Sequence, residues 1–129
     1  MKKLFVSVPM KDRAEEEIRV SIEKMKKIAE AFEDEELELI DSYIEDNPPE
    51  NNHAAIWYLG ESLKKLSTAD VFIGIDDVWE WHGCQVETDV ARLYNIKRYC
   101  VPVGIVISNY KELMVAKREE AHCNAHQIF

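Results

Sequence analysis

The spacing of apolar residues changes several times along the chain, and each change marks an element. Leu4, Phe5, Val6 and Val8 form a short apolar run closed by Pro9, which has no amide hydrogen for a sheet ladder. A first strand over residues 4–8 is predicted, followed by a turn at Lys11, Asp12 and Arg13. Ile18, Ile22, Met25, Ala29 and Phe32 then recur at intervals of three and four, the period of an amphipathic helix. Asp12 and Glu15 have the spacing of a capping box at its start.

Leu37, Leu39 and the stretch 40–44 predict a second strand, ended by the Asp-, Asn- and Pro-rich loop 46–52. A second helix begins at about His53, with Ile56, Leu59, Leu63 and Leu66 facing inward. Residues 71–75 (Val-Phe-Ile-Gly-Ile) are an apolar run of strand length. After Gly83 the spacing becomes helical again, with Val86, Val90 and Leu93 on one face. Residues 99–106 predict a further strand, bent at Pro102 and Gly104, and 109–120 a last helix with a polar tail.

Strands alternating with helices at these spacings predict an α/β fold of βαβ units around a central parallel sheet of about five strands. Such a fold binds ligands beyond the carboxyl ends of its strands. Here those are the loops 7–13, 46–52 and 76–87, where most of the unusual residues lie.

Composition narrows the function. A chain of 129 residues that is 47% hydrophobic makes one domain, spanning 1–129, and no apolar run approaches the ~20 residues that cross a bilayer. Met1, Lys2 and Lys3 lead straight into the first strand, unlike a signal peptide, so a cytoplasmic protein is expected. Three cysteines without paired spacing give no disulfide framework. The formal charge of −9 argues against long nucleic acid and anionic membranes as partners, but allows a small ligand. The run from Glu30 to Glu50, without a lysine or arginine, is expected to be a solvated face.

The loop after the third strand carries the candidate chemistry. Asp76, Asp77, Trp79, Trp81 and His82 precede Gly83, and Glu87 is placed in the first turn of the next helix. There the backbone N–H groups and the helix dipole would keep a carboxylate ionised. Asp76, Asp77 or His82 can serve as the acid beside it. Trp79 and Trp81 can stack on a base, although a dimer contact or a lid over the core suits them equally. Lys11 or Arg13, near the amino end of the first helix, can hold a phosphate. Cys84 and Cys100 are expected to be core residues. His122 and His126 flank Cys123 at a spacing of four, yet no further ligand is implied, so neither metal nor cofactor is expected. A phosphate-loop enzyme is excluded in its usual form, since no Gly-x-x-x-x-Gly-Lys run is present. A phospho-receiver would need acids after the first strand, where this chain has Ser7, Val8 and Pro9.

Four segments together resemble the nucleoside 2-deoxyribosyltransferase superfamily. They are residues 5–10 (Phe-Val-Ser-Val-Pro-Met), 39–43 (Leu-Ile-Asp-Ser-Tyr), 62–70 (Ser-Leu-Lys-Lys-Leu-Ser-Thr-Ala-Asp) and 83–91 (Gly-Cys-Gln-Val-Glu-Thr-Asp-Val-Ala). The likeness runs from the first strand through the third helix and is greatest to small bacterial and phage members. It implies a flavodoxin-like three-layer sandwich and a glutamate nucleophile, Glu87, that attacks the anomeric carbon of a nucleoside or nucleotide. It also implies a site completed across a homodimer or higher homo-oligomer. Ser7, Pro9, Met10 and Gly83 fall in its loop motifs and are expected to bind substrate. Members that transfer deoxyribose usually have Tyr at the position of Phe5, Gly at Val8, an acid at Trp81 or His82 and Gly at Asp89. Cys84-x-x-Glu87 also resembles the Cys-x-x-Glu of Toll/interleukin receptor domains that cleave NAD. A non-catalytic nucleotide-binding or sensing module is the third possibility on this scaffold.

Overall fold

A computed structural model describes residues 1–10, 12–76 and 80–107. The expectations for Lys11, Asp77, Trp79, the helix over 109–120 and the His122, Cys123 and His126 group lie outside them. Four strands and four helices are described: β1 (Lys3–Val6), α1 (Glu15–Glu33), β2 (Glu38–Leu39), α2 (Ala54–Leu66), β3 (Val71–Ile75), α3 (His82–Leu93), β4 (Lys97–Val101) and α4 (Val103–Val106). All strand pairs are parallel, in the order β2-β1-β3-β4. This is the expected α/β architecture with four described strands rather than five, and its strand order is compatible with a flavodoxin-like fold.

Alternation along the strands builds two cores. Leu4, Val6, Val71, Ile73 and Ile75 face α1 and pack with Met25, Ala29 and Ile22. Phe5 and Phe72 point the other way, onto Leu66 and Leu63 of α2 and Ala91 and Val90 of α3. The sheet is therefore covered on both faces, which is why β3 is buried at every position. Gly74 keeps the second face closely packed. A Cβ there would lie 2.9 Å from Phe72 Cε1 and 3.6 Å from Thr88 Oγ1 of α3.

Several local expectations are corrected. Asp12 does not cap α1: it has a left-handed backbone (φ 60), and Ala14 stands at the N-cap without a side-chain hydrogen bond. The second strand shrinks to two residues: its pairing with β1 ends at Leu4 and Leu39, while β1 continues to Val6 against β3. Beyond it Asp41 turns the chain, its Oδ1 accepting from the Tyr43 amide while its carbonyl accepts from Lys65. The last described strand runs earlier than expected, and the chain after Pro102 coils into the short α4 instead of continuing extended. Ile56 on α2 is 67% exposed and Leu93 on α3 62% exposed; Val90 packs on the second core as expected, and the buried residues of α3 are Cys84, Glu87 and Ala91. Phe32 is also exposed and lies against Tyr99, with ring centroids 5.0 Å apart. Cys100, expected in the core, is exposed on β4. Much of the acidic run is solvated, yet the Glu33 side chain is only 3% exposed and pairs with Lys97.

The connections set up the crevice. From β1 the chain crosses to β2 over one face by α1, whereas from β3 it crosses to β4 over the other face by α3. Between β1 and β3 the crossovers diverge, and at such a switch point the carboxyl ends of the strands open into a cleft.

Candidate functional site

A cleft of about 490 Å³ opens at this switch point. Its walls come from the end of β1 and the turn beyond it (Val8, Pro9, Met10), from Ser42 and Ile44 after β2, and from Tyr58 and Ser62 of α2. Glu80, Trp81, His82, Gly83, Cys84 and Glu87, at the approach to α3 and within it, close the other side. A second hollow of about 650 Å³, between α1 and residues 39–44, shares Val6, Met10, Ser42, Ile44 and Tyr58 with the first. The two hollows adjoin, and only the smaller is lined by Glu87.

Glu87 is the sixth residue of α3, one turn deeper than expected, and is 9% exposed. Each of its oxygens accepts a hydrogen bond from a different element. Ser7 Oγ, just past β1, donates to Oε1 at 2.8 Å, and Ser62 Oγ, on α2, donates to Oε2 at 2.5 Å. The helix dipole, expected to favour ionisation of this group, is not the main influence on it. Burial pushes its pKa above the ordinary carboxylate range, and the two serine hydroxyls only partly oppose that. The reason is position: a dipole acts within the first turn, whereas this side chain lies further along and faces inward.

Cys84, one turn before Glu87 on the same face, is buried, and its thiol is pushed up to about 12. Burial is the main cause, opposed by a hydrogen bond with Ser7 and reinforced by the neighbouring Glu87. A thiol so placed stays protonated near neutrality and is a packing residue rather than a nucleophile.

The remaining sequence candidates divide. Pro9, Met10, Trp81, His82 and Gly83 line the cleft with Glu87, whereas Ser7 is buried behind the lining and reaches it only through its bond to Glu87. Trp81 is buried and also belongs to the α1-side core, while His82 is exposed at the rim. Asp76 is exposed at the end of β3, where its Oδ1 accepts from the Val103 amide at 3.3 Å, and it is not part of the lining. Arg13 is turned away: its guanidinium donates to the Pro9 carbonyl at 2.8 Å and to Ser21 Oγ at 2.7 Å, bracing the turn after β1 from behind. The loop 46–52 does not line the cleft either; Asn51 and Asn52 belong to a separate shallow hollow with His53, Ile56 and Trp57.

Sequence reasoning missed Ser62, Tyr58 and Glu80. A signal for Ser62 existed, since it stands at helical spacing between Leu59 and Leu66 as a lone hydroxyl on an inward face. That it meets Glu87, 25 residues on, requires α2 and α3 to lie side by side. Among the described residues no group of three or more His, Cys, Asp or Glu side chains is arranged to hold a metal ion. No helix among them is long and apolar enough to cross a membrane. Comparison with protein-family models, with curated proteins and with solved structures finds no match to this chain.

Proposed function

We propose that this protein cleaves the N-glycosidic bond of a nucleoside, or transfers its deoxyribosyl group to another base, with Glu87 as the nucleophile. The domain is then a flavodoxin-like member of the nucleoside 2-deoxyribosyltransferase type. One observation carries the reading: the most enclosed carboxylate of the cleft stands at the switch point, with each oxygen held by a serine from a different element.

Breaking an N-glycosidic bond develops positive charge on the sugar and negative charge on the base, so a carboxylate must lie against the anomeric carbon. Two donors from separate elements fix the plane of Glu87, which supplies part of the orientation that such an attack needs. The donors are uncharged, so the ionised carboxylate keeps its full charge for the sugar rather than sharing it with a lysine or arginine. Burial then raises its reactivity once the proton is lost.

The lining also bears on the substrate. Its described ionisable residues are Glu80, Glu87, His82, Cys84 and Tyr58, with no lysine or arginine among them, and Arg13 is engaged beneath the turn. That balance favours an uncharged nucleoside over its phosphate, since a phosphate dianion beside two carboxyl groups meets repulsion with no counter-charge among the described lining residues. Ile56, Tyr58, Leu93 and Tyr94 leave apolar surface on α2 and at the end of α3, and a homodimer that covers it fits this reading.

Incubation with nucleosides, nucleoside monophosphates and NAD, with free base followed by chromatography, is the direct test. Base release from nucleosides is expected, and slower or no release from the phosphorylated forms. Absence of base from all of them rejects the proposal. A concentration-independent monomer mass in light scattering rejects the dimer.

A further inference from the structure

We infer that Glu80 is the second carboxyl group of the reaction, the acid that protonates the departing base and then the base that activates water. This rests on Glu87 being the nucleophile. Glu80 lines the same cleft as Glu87, in the turn that leads into α3. Its Oε1 is shielded from solvent and has no hydrogen-bond partner among the described residues.

A carboxyl oxygen shielded from water without a partner is an unfavourable arrangement, and a ligand placed to hydrogen-bond with it relieves it. A base held in the cleft is such a ligand. Glu33 also has a shielded oxygen without a partner, but its other oxygen pairs with Lys97, and it is remote from the cleft. The other candidates for the acid are less well placed. Asp76 accepts from a backbone amide outside the lining, and His82 is on the rim, open to solvent.

The step balances with water as the only co-reactant. A Glu87 oxygen bonds to the anomeric carbon as the bond from that carbon to the base nitrogen breaks, its electron pair leaving with the base. The proton of the Glu80 carboxyl moves to the base, and Glu80 becomes a carboxylate. Glu80 then takes a proton from water as the water oxygen attacks the anomeric carbon. The ester bond to Glu87 breaks, the Glu87 carboxylate returns, and both side chains regain their starting states.

The proposal is tested with two substrates that differ in the need for that proton: a purine nucleoside, and a nicotinamide nucleoside whose pyridine leaves neutral. The base released in the first turnover, before water is needed, reports the acid step alone. Glu80→Gln should lower that first-turnover rate on the purine nucleoside by about a hundredfold and leave it within about threefold of the parent on the nicotinamide nucleoside, whereas Glu87→Gln loses both. If Glu80→Gln fails to fold, Glu80→Asp decides: its first-turnover rate should fall between parent and loss on the purine nucleoside and match the parent on the other. Equal loss of the first-turnover rate on both substrates, or parental rates on both, overturns the role of Glu80 while a dead Glu87→Gln leaves the nucleophile standing. A parent that releases no base from either substrate overturns both assignments.

Discussion

Two glutamate side chains are drawn out of solvent at opposite ends of this molecule, and their surroundings differ in depth and in the charge they meet. Glu33, in the last turn of α1, has a side chain 3% exposed and accepts from Lys97 Nζ at 2.7 Å. That ammonium, chiefly through the hydrogen bond, holds the Glu33 carboxyl below the usual range. Glu87, in the cleft, lies deeper and meets only the hydroxyls of Ser7 and Ser62, and burial holds its pKa above the usual range. A carboxylate given a counter-charge is settled and serves to tie α1 to β4. One given only neutral donors retains an unmatched charge, and such groups cluster at functional sites. The contrast locates chemistry by what a buried acid lacks.

The largest expected effect separates the two by activity. Glu87→Gln keeps size and removes charge, so turnover of the best nucleoside should fall by about a hundredfold or more, while Glu33→Gln should stay within about threefold of the parent. Steady-state base release measures both, and comparable losses would erase the distinction.

Stability against pH should move in opposite directions. Glu87 binds its proton more tightly in the folded than in the unfolded chain, so its ionisation costs stability as pH rises from the ordinary glutamate range through its raised pKa. Glu33 is the reverse: its stabilisation is present above the ordinary range and is lost as pH falls through its lowered pKa. Thermal unfolding at neutral pH should therefore show Glu87→Gln above the parent and Glu33→Gln below it. Both differences should vanish in acid, where the carboxyl groups are protonated in either state. A Glu87→Gln melting point below the parent at neutral pH would mean that the serines outweigh the burial.

A smaller effect tests the serines themselves. Ser62→Ala removes the 2.5 Å donor to Oε2, which should raise the Glu87 pKa further and move the acid limb of the rate profile toward neutrality. Turnover at the plateau should fall by roughly tenfold, the effect of one hydrogen bond to a charged group. Ser67→Ala, on an exposed hydroxyl bonded to the Lys64 carbonyl, is the control and should leave both unchanged. An unshifted acid limb in Ser62→Ala would show that the bond does not govern Glu87.

Local pattern by itself determined the alternation of strands and helices and the burial of β3. A continuous apolar run and a period of three to four are properties of neighbouring residues, and burial on two faces leaves β3 no polar positions. It also placed the end of β1 and the approach to α3, with Glu87, at the carboxyl ends of the strands, where they line one cleft. Only the tertiary structure decided the state of that glutamate. Whether a carboxyl group is easily ionised depends on which donors, charges and water surround it, and those arrive from β1 and α2, remote in sequence. The same holds for Arg13, whose charge is plain in the sequence but whose guanidinium is folded behind the turn onto Pro9 and Ser21. Pattern fixes which way a side chain leaves its own helix or strand, but the electrostatics of a site are sums over elements that meet only when the chain is folded.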